Sequence, residues 1–93
     1  MAFNIKEEAM ELLLKAHNTK EGYISLQYDQ FGSQYVRIGD WHSSALIGRW
    51  KKQFEAIVSY LLNEGYIEPS GSSYELTLRG WDTGDELKGE VIT

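Results

Sequence analysis

The sequence predicts an α+β domain with its elements in the order α-β-β-α-β-β and a short C-terminal helical turn to follow. Three observations predict it. Two stretches carry apolar residues at the 3.6-residue period of a helix. Two further regions alternate apolar and polar residues at the two-residue period of a strand. Gly- and Ser-rich turns separate the alternating runs.

The first helix runs from about Ile5 to His17. Ile5, Ala9, Leu12, Leu13 and Ala16 share one face, Asn4 stands at the N-cap, and Glu7 and Glu8 occupy the first turn, where the helix dipole favours anions. Asn18 to Gly22 reads as a break. Ile24, Leu26 and Tyr28 then alternate with Ser25 and Gln27. After a turn at Asp29-Gln30-Phe31-Gly32, Val36 and Ile38 face inward while Tyr35 and Arg37 face outward. Residues 23–28 and 34–38 are therefore expected to pair as a hairpin.

The longest helix is expected from about Ser44 to Asn63, capped by Ser43 or Ser44. Its apolar stripe contains Leu46, Trp50, Phe54, Ile57, Val58, Leu61 and Leu62, with Trp50 and Phe54 largely buried. Gly65 supplies the C-terminal cap. Ile67 and Glu68 open a strand that Pro69 confines to a sheet edge. Past the Ser70-Gly71-Ser72-Ser73 turn, Tyr74, Leu76 and Leu78 alternate inward on the returning strand. Trp81 and Leu87 anchor the short helical turn, and the chain past Gly89 is expected to fray.

Length and composition fit this outline. Ninety-three residues make one domain, and 42% apolar residues with abundant aromatics argue against disorder. The absence of cysteine removes disulfides and thiolate metal sites and suits a cytoplasmic protein. Residues Met1 to Glu8 lack the apolar run of a signal peptide, and no stretch is long enough to span a membrane. Net charge is −5, and nearly all of the imbalance lies beyond residue 63; residues 22–63 are slightly basic. The whole chain repels nucleic acid, and only its middle attracts it.

Leu61-Leu62-Asn63-Glu64-Gly65-Tyr66-Ile67, a Ser/Gly turn and Tyr74-Glu75-Leu76-Thr77-Leu78-Arg79-Gly80 resemble the end of a winged-helix domain. In that family the third helix often closes on Leu-x-x-x-Gly-x-Ile and the wing on Tyr-x-Leu-Thr-x-x-Gly. The resemblance covers about residues 44–81. A standard helix-turn-helix has a scaffolding helix before the recognition helix, where a hairpin is read here. The chain is thus similar to a modified, small bacterial type of winged helix, often appended to larger proteins. The resemblance implies a winged-helix-like α-β-β-α-β-β fold and weakens the transfer of DNA binding.

Several motifs reduce to ordinary structure. Asp82-Thr83-Gly84 matches the aspartic-protease triplet, but that chemistry belongs to an all-β dimer, so a polar turn is expected. Asp40, His42, Ser43 and Ser44 hold the side-chain types of a hydrolase triad, yet sequence neighbours do not converge as a triad must. His17 and His42 lack metal-ligand spacing and read as solvated; Asp82, Asp85 and Glu86 lack the calcium-loop pattern. No cofactor, metal or catalytic constellation is read.

Two binding surfaces are read instead. Arg49, Lys51, Lys52 and Gln53 lie at or beside the open side of the long helix, with Arg37 as a further phosphate contact; these are the nucleic-acid candidates. The wing opposes them, since its strands carry Glu68 and Glu75. Tyr23, Phe31, Tyr35, Trp41 and Tyr60 are more aromatics than a small core encloses and are the protein-contact candidates. The leading expectation is a non-catalytic domain that binds a protein partner or a second copy of itself. The alternative is a DNA-binding regulator using Arg49–Gln53.

Overall fold

A computed structural model describes residues 3–89. Among these, three helices pack with one five-stranded antiparallel sheet. The elements are α1 (Ile5–His17), β1 (Tyr23–Tyr28), β2 (Gln34–Ile38), β3 (Trp41–His42), α2 (Gly48–Asn63), β4 (Ile67–Ser70), β5 (Ser73–Leu76) and α3 (Leu78–Lys88). The sheet order is β3-β2-β1-β5-β4, so the second hairpin docks beside β1 and extends the first.

Local chemistry explains α1. The Asn4 side chain accepts the Glu7 N–H at 3.0 Å and satisfies one of the first-turn donors. Ala9, Leu12, Leu13 and Ala16 are buried. The β1–β2 register places Leu26 opposite Val36 and Ser25 opposite Arg37, so Ile24, Val36 and Ile38 enter the core. Leu26 is only half-buried, and Tyr28, expected inward, is exposed because the hairpin tip projects beyond the helices. Phe54, Ile57, Val58 and Leu61 bring the α2 stripe onto the same core, together with Ile67 and Leu76. Pro69 sits on β4 at the sheet edge, where its missing N–H breaks no inner ladder.

The structure differs from expectation at several points. First, α2 begins at Gly48 rather than Ser44. Ser43 is no cap: its hydroxyl accepts the Val36 N–H at 3.0 Å and donates to the Ser44 carbonyl at 2.8 Å. The Ser43 and Leu46 amides bond Val36 and Gln34 carbonyls, so this segment runs along β2 instead of coiling. Second, Trp41 and His42 form β3, a strand too short to show alternation. Third, β5 ends at Leu76. Thr77 turns to cap α3, accepting the Gly80 N–H at 3.1 Å, which leaves Leu78 exposed rather than inward. Fourth, Trp50 is half-buried, at the margin of the core that Phe54 enters.

The C-terminal turn is in fact an 11-residue helix, and Asp82-Thr83-Gly84 lies inside it rather than in a polar turn. A glycine requirement at two positions lets α3 dock. A Cβ at Gly80 would overlap the Tyr66 carbonyl oxygen, and one at Gly84 would overlap the His17 ring. The fraying expected past Gly89 lies outside the described residues.

Candidate binding surfaces

His17, expected in solvent, is enclosed where α1 meets α3. Its side chain is 7% exposed and its Nε2 lies 2.7 Å from Asp85 Oδ1. The Trp81 ring covers it at 5.6 Å between centroids. Nδ1 is buried and meets no hydrogen-bond partner among the described residues. This histidine is used to join helices. His42 stays exposed, with its ring set edge-on to Tyr35 at 5.9 Å. Among the described residues no three His, Cys, Asp or Glu side chains gather as a metal site would require.

The basic candidates divide between opposite sides of the sheet. Arg49, Lys51 and Lys52 are exposed on the first two turns of α2, and Gln53 is half-buried. Lys52 reaches Glu55 at 3.7 Å, one turn on. Arg37 alternates with the buried Val36 and Ile38 and so lies on the outer face, away from the helices. Its Nε donates to the Gly39 carbonyl at 3.1 Å. The arginine therefore does not join the α2 cations in one surface.

The aromatic candidates divide as well. Tyr23 and Tyr35 occupy the outer face. Trp41 pairs with Ile38 on the inner side, and the Lys15 ammonium sits 5.0 Å above its ring. Tyr60 packs against the core margin. Only Phe31, at the hairpin tip, is almost wholly free, at 82% exposure. Asp29 holds that tip by accepting the Phe31 and Ser33 amides at 2.8 and 2.9 Å.

Two residues outside the sequence-derived set complete this end of the molecule. Ile47 is the N-cap of α2, has extended backbone angles, makes no capping bond and is 68% exposed. The adjacent Leu46 amide bonds the Gln34 carbonyl, so Ile47 lies at the hairpin-tip end with Tyr28 and Phe31. A groove of about 290 Å³, which none of these three residues lines, lies between α2 and the inner face of the sheet and includes Gln34 and Leu46 in its lining. Its apolar wall includes Leu26, Leu46, Phe54, Val58 and Leu62, and Lys51 and Glu55 stand on its rim. Ile47 was open to discovery in the sequence as an apolar residue just off the α2 stripe, beside Leu46. Tyr28 gave no such signal, because its alternation matched a buried position.

Among the described residues no helix is long and apolar enough to cross a membrane. No family model matches the chain, and no curated protein or solved structure matches it either.

Proposed function

We propose that this chain is a non-catalytic binding domain that acts by protein contact, through the hairpin tip and the groove beside α2. The observation that carries this reading is Ile47. An N-cap favours Ser, Thr, Asp or Asn, and an apolar residue there forgoes about 1 kcal/mol. An exposed isoleucine at that position stabilises nothing locally, and local rules are broken where function requires it. Phe31 and Tyr28 extend the same exposed apolar end, and aromatic and aliphatic anchors beside a groove are what protein interfaces use. The winged-helix reading is supported by the succession of α1, the first hairpin, α2 and the second hairpin, with β3 and α3 as additions.

The second reading, a DNA-binding regulator, is favoured by one feature: Arg49, Lys51 and Lys52 project from an α2 start that has no side-chain cap and no acidic first-turn residue. Helix starts of this kind accept phosphate. Against it stand the net charge of −5, the acidic β4–β5 hairpin and the separation of Arg37 from the other cations.

The two readings separate in one experiment. The chain is immobilised and challenged with cell extract, then with a labelled duplex. Phe31→Ser and Ile47→Asp should each remove a retained protein that Arg49→Glu with Lys52→Glu leaves in place. Duplex retention lost only in the Arg49/Lys52 variant would reverse the ranking.

A further inference from the structure

Among the described residues the outer face of the sheet has no helix against it and carries charge of both signs, and no ion pair joins those charges, although Glu21 borders the same hollow as Arg37. Glu68 and Glu75 stand directly opposite each other on β4 and β5, a placement that destabilises an isolated sheet. Neither takes part in an ion pair among the described residues. Arg37, on β2, meets no carboxylate within salt-bridge distance among them. Between these poles Ser25 and Tyr23 stand on β1, and the short Ser73 flanks Glu75 on β5.

We infer that this face binds a second copy of the chain, stacked sheet against sheet about a two-fold axis, with Arg37 of each copy over Glu75 and Glu68 of the other. The register makes the arrangement self-complementary. Arg37 is level with Ser25, and Glu75 is level with Tyr23, while β1 lies between β2 and β5. The midpoint between Arg37 and Glu75 therefore falls on β1, between Ser25 and Tyr23. An axis through that point brings both Arg–Glu contacts together at once, as a closed two-fold interface requires. It also sets Tyr23, exposed at 44%, beside its own copy at the centre.

The area sets the strength. Five strands at ~4.8 Å spacing make a face about 19 Å wide. With strands of two to six residues at ~3.3 Å per residue, that yields on the order of 400 Å² per copy, about half the ~800 Å² per partner of a standard interface. The dimer is accordingly weak and salt-sensitive. This inference is independent of the groove, which lies on the other side of the sheet.

Sedimentation equilibrium of the full chain over loadings from about 10 µM to about 1 mM, the range that reports weak association, tests it. The wild type should gain mass with concentration and lose that gain at about 0.5 M salt, where screening is short-ranged. Arg37→Glu and Glu75→Arg should each raise Kd at least about tenfold, because every substitution acts twice across the axis. The combined Arg37→Glu/Glu75→Arg chain should dimerise again. Circular dichroism checks that each variant is folded, and Arg37→Gln with Glu75→Gln serves where a reversal is not. A wild type that stays monomeric at the highest loading overturns the inference. So does a double reversal that fails to restore the dimer. A dimer indifferent to Arg37 but lost in Phe31→Ser also overturns it, and moves self-association to the groove side.

Discussion

His17 Nε2 lies 2.7 Å from Asp85 Oδ1, and this contact joins the last residue of α1 to α3 across 68 positions of sequence. Gly84 makes it reachable, since the imidazole occupies the space a side chain there would fill. In an ordinary helix Gly→Ala gains about 1 kcal/mol. Here Gly84→Ala should instead lose about 1–3 kcal/mol, the usual penalty for overpacking. His17→Ala in the same chain should recover part of that loss, and urea unfolding of the four chains measures the coupling. A stabilised Gly84→Ala chain would show that α3 does not rest on His17.

Asp85→Ala leaves the buried imidazole with neither nitrogen paired. The loss should be about 1–2 kcal/mol, seen as a lower denaturation midpoint with an unchanged slope. A value near zero would assign the joint to Trp81 packing alone.

Phe54 and Trp50 touch edge to face at 6.2 Å, yet only Phe54 is fully enclosed. Phe54→Ala should cost about 3–5 kcal/mol. Trp50→Ala should cost less, about 2 kcal/mol, because part of its ring already meets water. The reverse order in chemical denaturation would mean that α2 is rotated about its axis.

Ile47→Asp supplies the cap that α2 lacks and places a carboxylate at the positive end of the helix. It should raise stability by about 1 kcal/mol while removing partner binding. An Ile47→Asp chain that is both stabler and fully competent to bind would free Ile47 from any role in contact.

Duplex DNA gives a further contrast. Three exposed cations on α2 would produce a log–log salt slope near −3, at about −0.9 per phosphate neutralised. We expect no binding at physiological salt, because the rest of the chain repels the backbone. Submicromolar binding abolished by Arg49→Glu with Lys52→Glu would establish the regulator reading.

Where periodicity is strong, the fold was legible. The α1 face, the pairing of β1 with β2 and the buried half of the α2 stripe follow from spacing alone. The start of α2 did not, because Ser43 resembles a cap but spends its hydroxyl on the Val36 amide, a partner seven residues away. Leu78 continued the apolar alternation, but Thr77 diverted the chain into α3. The His17–Asp85 contact has no local signature at all. For the candidate site, Phe31 was visible as an aromatic in a polar turn. Ile47 showed only as an apolar residue beside Leu46, a weak signal, because a helix expected from Ser44 makes its position helix interior, where an apolar residue is ordinary.

Protein contact at the hairpin tip can be trapped covalently. A photoreactive phenylalanine analogue at position 31 probes that contact, with the same analogue at position 78 as control. Phe31 and Leu78 are comparably exposed, at 82% and 77%, but lie on different elements. Illumination in cell extract should give a discrete protein adduct from position 31 that Ile47→Asp removes, and none from position 78. Identical labelling from both positions, or an adduct to nucleic acid alone, would rule out specific protein contact at the tip.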